Sequence, residues 1–199
     1  FSTSNAGNPV SHVHQDLTGS TNLVFTNTIN TGVDVVFLCL GHGNSKAFLN
    51  ANTFENHTKI IDLSNDFRLE ADAVLNGKHF VYGLPELNSN SIKTSNYIAN
   101  PGCFATAIQL ALLPLATHEL LQNDVHINAT TGATGAGTSL SATTHFTWRD
   151  NNFSYYKPFT HQHLGEIGES LKSLQSGFSK ALFFMPNRGN FSRGIFATV

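Results

Sequence analysis

The sequence is poor in charged residues, in cysteine and in long apolar runs. Asp, Glu, Lys and Arg make up 12% of the 199 residues, with a net charge of −2, and this charged share is about half of that usual in soluble domains. Such a balance does not favour nucleic acid or a membrane surface as a partner. No apolar run reaches the ~18 residues of a membrane-spanning helix, and no signal peptide is visible. The two cysteines, Cys39 in a predicted buried strand and Cys103, fit a reducing cytoplasm better than a disulfide framework.

The two ends of the sequence indicate an internal piece of a longer protein. The chain starts at Phe1 and not at a methionine, and it ends in residues 195–199, which are typical of a strand. The hydrophobic share of 40% is enough for a core. Parallel βα units are predicted before Cys103 and longer mixed strands after it. We therefore expect a domain boundary there, with residues 1–103 in one domain and residues 104–199 in the other.

A buried strand followed by a glycine-rich turn is predicted early in the chain. The apolar residues 35–40 suit a parallel strand that is buried on both faces. The Gly-His-Gly turn at residues 41–43 then leads into a helix pattern at 46–49, with Asn44 or Ser45 as the candidate cap. This arrangement is either an ordinary βα loop or a cofactor contact at the carboxyl end of a strand.

Cys103 follows a tight turn and directly precedes an apolar helical run. Pro101 fixes φ and Gly102 permits a close or left-handed backbone, and apolar residues recur at helical spacing from Phe104 to Leu115. At a helix N-terminus, unpaired N–H groups and the helix dipole favour a thiolate, which is the nucleophile of covalent catalysis. The alternative is a small buried side chain that opens a core helix.

A second glycine-rich loop lies among predicted strands. Residues 125–131 alternate like a half-buried strand and run into residues 132–138, and two further strands are predicted at 182–187 and 194–199. Successive N–H groups of such a loop can surround a phosphate or an oxyanion. A flexible hairpin would give the same pattern of residues.

Two arginines are candidates for binding an anion. Arg188 and Arg193 lie between the last two predicted strands, and the bidentate geometry of arginine suits a substrate carboxylate. Either of them could equally be a surface charge. The role of Arg68 stays open, because Asp66 is a ready ion-pair partner for it and is itself expected to be structural.

His161, His163 and Glu166 form a second chemical cluster within six residues. Zinc is one use of such side chains, but the spacing does not continue into a complete ligand set. A structural role at the start of a helix near Leu164 is another. The third is acid–base chemistry with Cys103, because imidazole exchanges protons near neutral pH.

Residues 98–107, continuing through 111–114, resemble without a gap the active-site signature of the N-acyl-γ-glutamyl-phosphate reductases of arginine biosynthesis. Further segments resemble other motifs of that family, so that the resemblance extends over nearly the whole chain: residues 41–45, 62–69, 80–88, 132–138 and 161–167. Two departures are Thr134 in place of the usual serine and Gly165 in place of the usual proline.

The resemblance implies an NADP-dependent oxidoreductase that reduces N-acyl-γ-glutamyl phosphate to the semialdehyde through a thioester on Cys103. It implies His163 as the acid–base residue, with His161 as its rival and Glu166 as a third catalytic residue. The implied cofactor contacts are Ser2, Thr3 and Ser4 at the 2′-phosphate of NADP, and Gly41, His42 and Gly43 on the nicotinamide side. The implied substrate and phosphate contacts are Gly135, Ala136, Gly137 and Arg193.

The implied fold is α/β: an incomplete Rossmann-type nucleotide domain, without its N-terminal phosphate loop, and an α+β substrate and dimerisation domain with a mixed sheet. We expect a cytoplasmic homo-oligomer that binds a small-molecule substrate and uses no metal. Three alternatives stay open: an enzyme like aspartate-semialdehyde dehydrogenase, a cysteine hydrolase that uses Cys103 and His163, and a non-catalytic binding module. The sequence does not distinguish an acetyl from a succinyl group on the substrate.

Overall fold

The computed structural model of the protein describes residues 1–137 and 139–199, so Thr138 of the predicted phosphate loop lies outside it. The helices in the described part are α1 (Val10–Val13), α2 (Ser45–Ala51), α3 (Pro85–Thr94), α4 (Cys103–Thr117), α5 (Phe146–Arg149) and α6 (His163–Leu174). The strands are β1 (Val35–Leu38), β2 (Lys59–Asp62), β3 (Val74–Leu75), β4 (Lys78–His79), β5 (Val81–Tyr82), β6 (Tyr97–Ala99), β7 (Val125–Thr131), β8 (Ser154–Tyr155), β9 (Leu182–Arg188) and β10 (Ile195–Thr198). None of these described helices is both long and apolar enough to cross a bilayer.

Strands from the first half of the chain form a parallel sheet in the order β1-β2-β6-β5. The carboxyl ends of β2 and β6 meet in register, because Asp62 pairs with Ala99. Open parallel sheets bind ligands at this edge. The turn after β1 carries residues 41–43, and the turn after β6 leads to Cys103, so both predicted segments lie at the edge where a ligand would bind.

Strands from the second half form a mixed sheet in the order β10-β7-β9-β8. Its centre is the parallel pair β7 and β9, aligned from Val125 with Leu182 to Thr131 with Arg188. The outer strands β10 and β8 run antiparallel to their neighbours. Helices α4 and α6 pack on one face of this sheet. The predictions of an α/β fold, of a mixed second sheet and of a helix that begins at Cys103 are confirmed.

Buried aromatic and aliphatic side chains form a core against each sheet. In the first core, the rings of Phe67 and Phe80 stack with their centroids 3.9 Å apart. In the second, the ring of Phe104 on α4 lies 5.2 Å from that of Phe184 on β9. Full burial of such a side chain contributes ~1.5–3 kcal/mol. The residue that follows Cys103 is therefore one of the anchors of the second core.

The structure corrects the prediction for β1, which is not buried on both faces. Val35 and Phe37 are 42% and 62% exposed, whereas Leu38 on the opposite face is buried. Cys39 is also exposed, although a buried strand position was predicted for it. The reason is that β1 pairs only with β2 in the described chain, and one face of this edge strand is left uncovered.

Candidate active site

Cys103 is an exposed side chain on a buried turn. Pro101 and Gly102 before it are buried, and α4 begins at the cysteine itself. A Cβ atom on Gly102 would collide with His163 Nε2 and with Glu166 Oε1. Glycine at this position is therefore what allows the imidazole and the carboxylate from α6 to approach the start of α4.

Glu166 is the centre of the polar cluster behind the cysteine. Its Oε2 accepts hydrogen bonds from the Gly102 N–H at 3.0 Å and from the Tyr82 hydroxyl at 2.7 Å. Its Oε1 accepts one from Arg68 at 3.3 Å and lies 3.8 Å from His163 Nε2. Glu166 is 4% exposed, so a buried carboxylate is balanced here by a buried guanidinium. Glu166 lies one helical turn after His163, so its carboxylate is next to the imidazole without a hydrogen bond to it.

The sequence left the role of Arg68 open and suggested an ion pair between Arg68 and Asp66. That suggestion is wrong, because Arg68 pairs with Glu166. The Nε of Arg68 donates to the carbonyl of Asn100 at 2.8 Å, and another guanidinium nitrogen donates to the carbonyl of Leu63 at 3.2 Å. Together with the ion pair to Glu166, these bonds tie the ends of β2 and β6 to α6. No local sequence signal links Arg68 to a residue 98 positions away.

Tyr82 is a second residue of the site that sequence reasoning missed. Its hydroxyl donates to Glu166 and accepts a hydrogen bond from the side chain of Gln109 at 2.7 Å. Burial and the nearby charge of Glu166 raise the pKa of Tyr82, so the phenol stays protonated and acts as a donor. Tyr82 belongs to the segment 80–88 that matched the family, which was the available signal.

His161 and His163 pack against each other and against the ring of Phe104. The imidazole centroids are 4.5 Å apart, and the backbone N–H of His163 donates to His161 Nδ1 at 3.2 Å. Burial lowers the pKa of His161 to about 4. Burial, with smaller contributions from the charges of His161 and Arg68, lowers the pKa of His163 to about 3. Both imidazoles are therefore neutral at pH 7.

The turn at residues 41–43 is held by a carboxylate from the turn after β2, the next strand. Gly41 and Gly43 have φ of 79° and 83°, and Asp66 accepts the N–H groups of Gly43 at 2.6 Å and Ser45 at 2.9 Å. Partial burial acts to raise the pKa of Asp66, but the hydrogen bonds outweigh it, so the pKa lies below its ordinary value. Asp66 thus caps α2 in place of the predicted Asn44 or Ser45.

His42 and the residues at the start of the chain lie on exposed surface. His42 Nδ1 accepts the N–H of Asn65 at 3.1 Å, and the charge of His42 contributes to the lowered pKa of His163, so this turn faces the histidine cluster. Thr3 and Ser4 are exposed, and the hydroxyl oxygens of Ser2 and Ser4 are 3.4 Å apart. A hydrogen bond from the Ser2 N–H to Thr26 holds this segment at the open edge of the first sheet.

The loop after β7 does not present a row of free N–H groups, which corrects that expectation. Ala133 and Thr134 donate to the carbonyls of Phe191 and Ser192 at 2.8 and 3.0 Å, and Gly135 and Gly137 donate within the loop. Residues Ala133–Ala136 form a short 3₁₀ turn. The predicted contacts Gly135, Ala136 and Gly137 therefore belong to a tight turn packed on the 191–194 segment.

Of the two candidate arginines, the structure brings Arg188 towards the cysteine cluster. Its guanidinium carbon lies 4.7 Å from the centre of the Tyr156 ring, and that ring is 5.8 Å from His161. Burial raises the pKa of Tyr156, the charge of Arg188 opposes the rise, and the charge of a Cys103 thiolate adds to it. Arg193 is exposed beside the 132–137 turn.

Metal ligation finds no support in the part of the chain that the structure describes. Among residues 1–137 and 139–199, no group of three or more His, Cys, Asp or Glu side chains is arranged to hold a metal ion. The arrangement is that of an accessible thiol at a helix N-terminus, with a neutral, buried imidazole and a buried carboxylate beside that helix. Such a pair can activate a sulfur nucleophile.

Comparison with solved structures identifies the fold. Aspartate semialdehyde dehydrogenase II from Vibrio cholerae superposes with a TM-score of 0.56 at 18% identity, over 83% of this chain and 54% of that one. Aspartate semialdehyde dehydrogenase with NADP from Candida albicans superposes with a TM-score of 0.57 at 13% identity, over 99% of this chain and 61% of that one.

Sequence comparison is more specific. Residues 1–95 match the family model described as semialdehyde dehydrogenase, NAD binding domain, and residues 103–199 match semialdehyde dehydrogenase, dimerisation domain. The chain is 68% identical over 199 residues to an N-acetyl-gamma-glutamyl-phosphate reductase of Flavobacterium johnsoniae, and covers 61% of it. It is 65% identical over 198 residues to one of Christiangramia forsetii, and covers 60% of it. The chain thus spans about three fifths of the length of these curated relatives. It belongs to the semialdehyde dehydrogenase family, in the group of the N-acetyl-gamma-glutamyl-phosphate reductases.

Proposed function

We propose that the whole protein is an NADP-dependent oxidoreductase of arginine biosynthesis that reduces N-acyl-γ-glutamyl phosphate to the semialdehyde. The observation that carries the proposal is the exposed thiol of Cys103 at the start of the 15-residue helix α4, with the buried imidazole of His163 against Gly102, the residue before it. The names of the relatives, which are up to 68% identical, support the same reaction.

The reaction follows from the charges at this site. The neutral imidazole of His163 accepts the thiol proton of Cys103, and the helix N-terminus stabilises the thiolate. The thiolate attacks the acyl carbon, the bond from that carbon to the phosphate oxygen breaks, and a thioester remains. NADPH, when bound, supplies the hydride that reduces the thioester. The helix N–H groups stabilise the oxyanion, and its collapse releases the aldehyde and returns the thiolate, which takes back the proton of His163.

The residues proposed for NADP suit that cofactor. The turn at 41–43 follows β1 at the ligand-binding edge of a parallel sheet, and its φ values are compatible with a ligand that approaches the backbone closely. The hydroxyls of Ser2 and Ser4, with Thr3 between them, are exposed donors for a 2′-phosphate. We therefore keep Ser2, Thr3, Ser4, Gly41, His42 and Gly43 as the cofactor contacts.

For the phosphate of the substrate, we retain the 135–137 turn and Arg193. Arg193 is exposed, and its backbone nitrogen lies against Gly132 at the start of that loop; arginine binds phosphate by paired hydrogen bonds. The turn itself contributes less than the sequence suggested, because most of its N–H groups are already bonded. Residues 1–103 and 104–199 are proposed as the nucleotide domain and the substrate domain, in keeping with the two sheets.

We also propose that the protein is a cytoplasmic homo-oligomer that assembles through the open face of its second sheet. The face opposite α4 and α6 exposes the rings of Phe183 and Phe196, and Phe183 stacks on His126 with centroids 5.1 Å apart. Exposed apolar patches of this kind mark protein contacts. The match of this half to a dimerisation domain supports the same assignment.

The reaction is tested on the full-length protein by following NADP⁺ reduction with an N-acyl-glutamate semialdehyde and phosphate. The Cys103→Ser variant should lose the rate by orders of magnitude, whereas Cys39→Ser, an exposed cysteine outside the site, should keep it. Retention of the rate by Cys103→Ser would reject covalent catalysis. His163→Asn should lose far more activity than His161→Asn. Turnover of aspartate semialdehyde in place of the N-acyl-glutamate semialdehyde would support an enzyme like aspartate-semialdehyde dehydrogenase. Hydrolysis without NADP would support a cysteine hydrolase.

A further inference from the structure

Arg149 and Arg188 lie side by side at the end of the second sheet. Arg149, at the end of α5, is 6% exposed. Its guanidinium donates to the carbonyl of Arg188 at 3.3 Å and to the hydroxyl of Ser154 at 2.7 Å. The Nε atoms of both arginines are buried and have no hydrogen-bond partner among the described residues.

The two positive charges are not neutralised within the described chain. In residues 1–137 and 139–199, no carboxylate lies within ion-pair distance of either guanidinium. Burial, and then the charge of Arg188, lowers the pKa of Arg149. Arg149 is buried and Arg188 is half-buried, and adjacent cations withdrawn from water are costly unless an anion joins them. The parallel N–H donors of a guanidinium match the two oxygens of a carboxylate.

This arginine pair is connected to the reacting centre through one aromatic ring. The Tyr156 ring lies between Arg188, 4.7 Å away, and the ring of Phe104, 6.5 Å away, which directly follows Cys103. Arg188 and Thr131 are partners at the carboxyl ends of the parallel strands β7 and β9. An anion bound by Arg188 would therefore lie beside the Tyr156 ring, which also borders His161 and Phe104 of the cysteine cluster.

We propose that Arg149 and Arg188 form a subsite for a carboxylate group of the substrate. Arg188 contacts the carboxylate, and Arg149 positions Arg188. This inference rests on the proposed function. The sequence offered Arg188 and Arg193 as alternatives for a substrate carboxylate; the structure favours Arg188 and adds Arg149, which was not a candidate. The carboxylate comes either from the α-carboxylate of the glutamyl unit or from the far end of a dicarboxylic acyl group such as succinyl. Both sources present the same chemistry to the arginines.

The test measures KM and kcat of the full-length enzyme for N-acetyl- and N-succinyl-glutamate semialdehyde. Arg188→Gln should raise KM about 10- to 100-fold, the range expected for lost hydrogen bonds to a charged group, with a smaller change in kcat. Lys180→Gln, which removes an exposed positive charge elsewhere, is the control and should not change KM. A rise with both substrates identifies the α-carboxylate, and a rise with the succinyl substrate alone identifies the acyl carboxylate. Unchanged KM for both substrates overturns the proposal.

Two additions keep the test decisive. Arg149→Lys retains the positive charge but loses the planar pair of guanidinium donors, and should give a KM between those of the wild type and Arg188→Gln. Thermal unfolding of each variant checks that it is folded. Binding of N-acetyl- and N-succinyl-glutamate is measured by calorimetry on the same proteins. If the wild type turns over neither aldehyde, the proposed reaction is wrong. The subsite is then tested by binding alone: weaker binding of these carboxylates to Arg188→Gln supports it, and unchanged binding overturns it.

Discussion

The backbone N–H of Gly102 donates to Glu166 Oε2 across 3.0 Å, so the residue before Cys103 is bonded to a carboxylate 64 positions later. This bond fixes the distance between the start of α4 and the face of α6 that carries His163. The close approach also requires glycine at position 102, because a Cβ atom there would collide with His163 and Glu166. The catalytic arrangement therefore depends on the shape of the turn as much as on the side chains.

Substitution of Gly102 by alanine should separate these groups. The added Cβ would displace His163 and Glu166, so we expect a loss of activity of at least tenfold and a fall in unfolding free energy of about 1–3 kcal/mol, as for other overpacked sites. Gly168→Ala is the matched control, because a Cβ there meets nothing within 4 Å and lies in helix α6. Equal stability and rate in the Gly102→Ala variant would contradict the close approach. Steady-state rates and urea unfolding measure both quantities.

Neutralising Glu166 should leave a buried cation without its partner. For Glu166→Gln we expect a large loss of stability, up to the ~3–5 kcal/mol known for broken buried ion pairs. Glu169→Gln, an exposed carboxylate on the same helix, should have little effect. The double variant Arg68→Gln with Glu166→Gln should recover part of the loss, because no unpaired charge remains. Additive losses in the double variant would show that the pair is not coupled.

The two buried histidines should make the protein sensitive to mild acid. In the unfolded chain each imidazole takes up a proton near its ordinary pKa of 6.5, whereas in the folded protein the pKa is about 4 for His161 and about 3 for His163. Their contribution to stability is therefore complete above pH 6.5 and is lost as the pH falls towards 4. Each histidine adds a slope of up to ~1.4 kcal/mol per pH unit.

This dependence is measured by urea unfolding between pH 7.5 and pH 4.5. His161→Gln or His163→Gln should reduce the slope by up to one proton, whereas His12→Gln, an exposed histidine in α1, should leave it unchanged. A slope that is the same in all three variants would mean that other groups cause the acid sensitivity.

The local elements of the site were predictable, because their signals are confined to short segments. The turn and helix at Cys103, the alternating strand β7 and the start of α6 near His163 all follow from residue spacing and are confirmed. The contacts between segments were not predictable, because periodicity carries no information about partners distant in sequence. Asp66 was expected to be structural, but its role as the cap of α2 depends on where two strands end.

The exposure of β1 illustrates the second limit of sequence reasoning. An unbroken apolar run predicts burial on both faces, but burial depends on what packs against each face. Phe37 is exposed because no described segment covers its side of the edge strand. Tyr82 and Arg149 were missed for a related reason, since a single polar residue gains its role only from the neighbours that the fold supplies.

Arg68 has a consequence for how the two sheets move. One guanidinium joins the ends of β2 and β6 in the first sheet to Glu166 beneath the second sheet. Any hinge opening between the sheets at this point would have to break the buried ion pair between Arg68 and Glu166 and disturb the turn before Cys103. The start of α4 and the imidazole of His163 thus keep one relative position, and a ligand arriving at Cys103 meets a turn that is already formed.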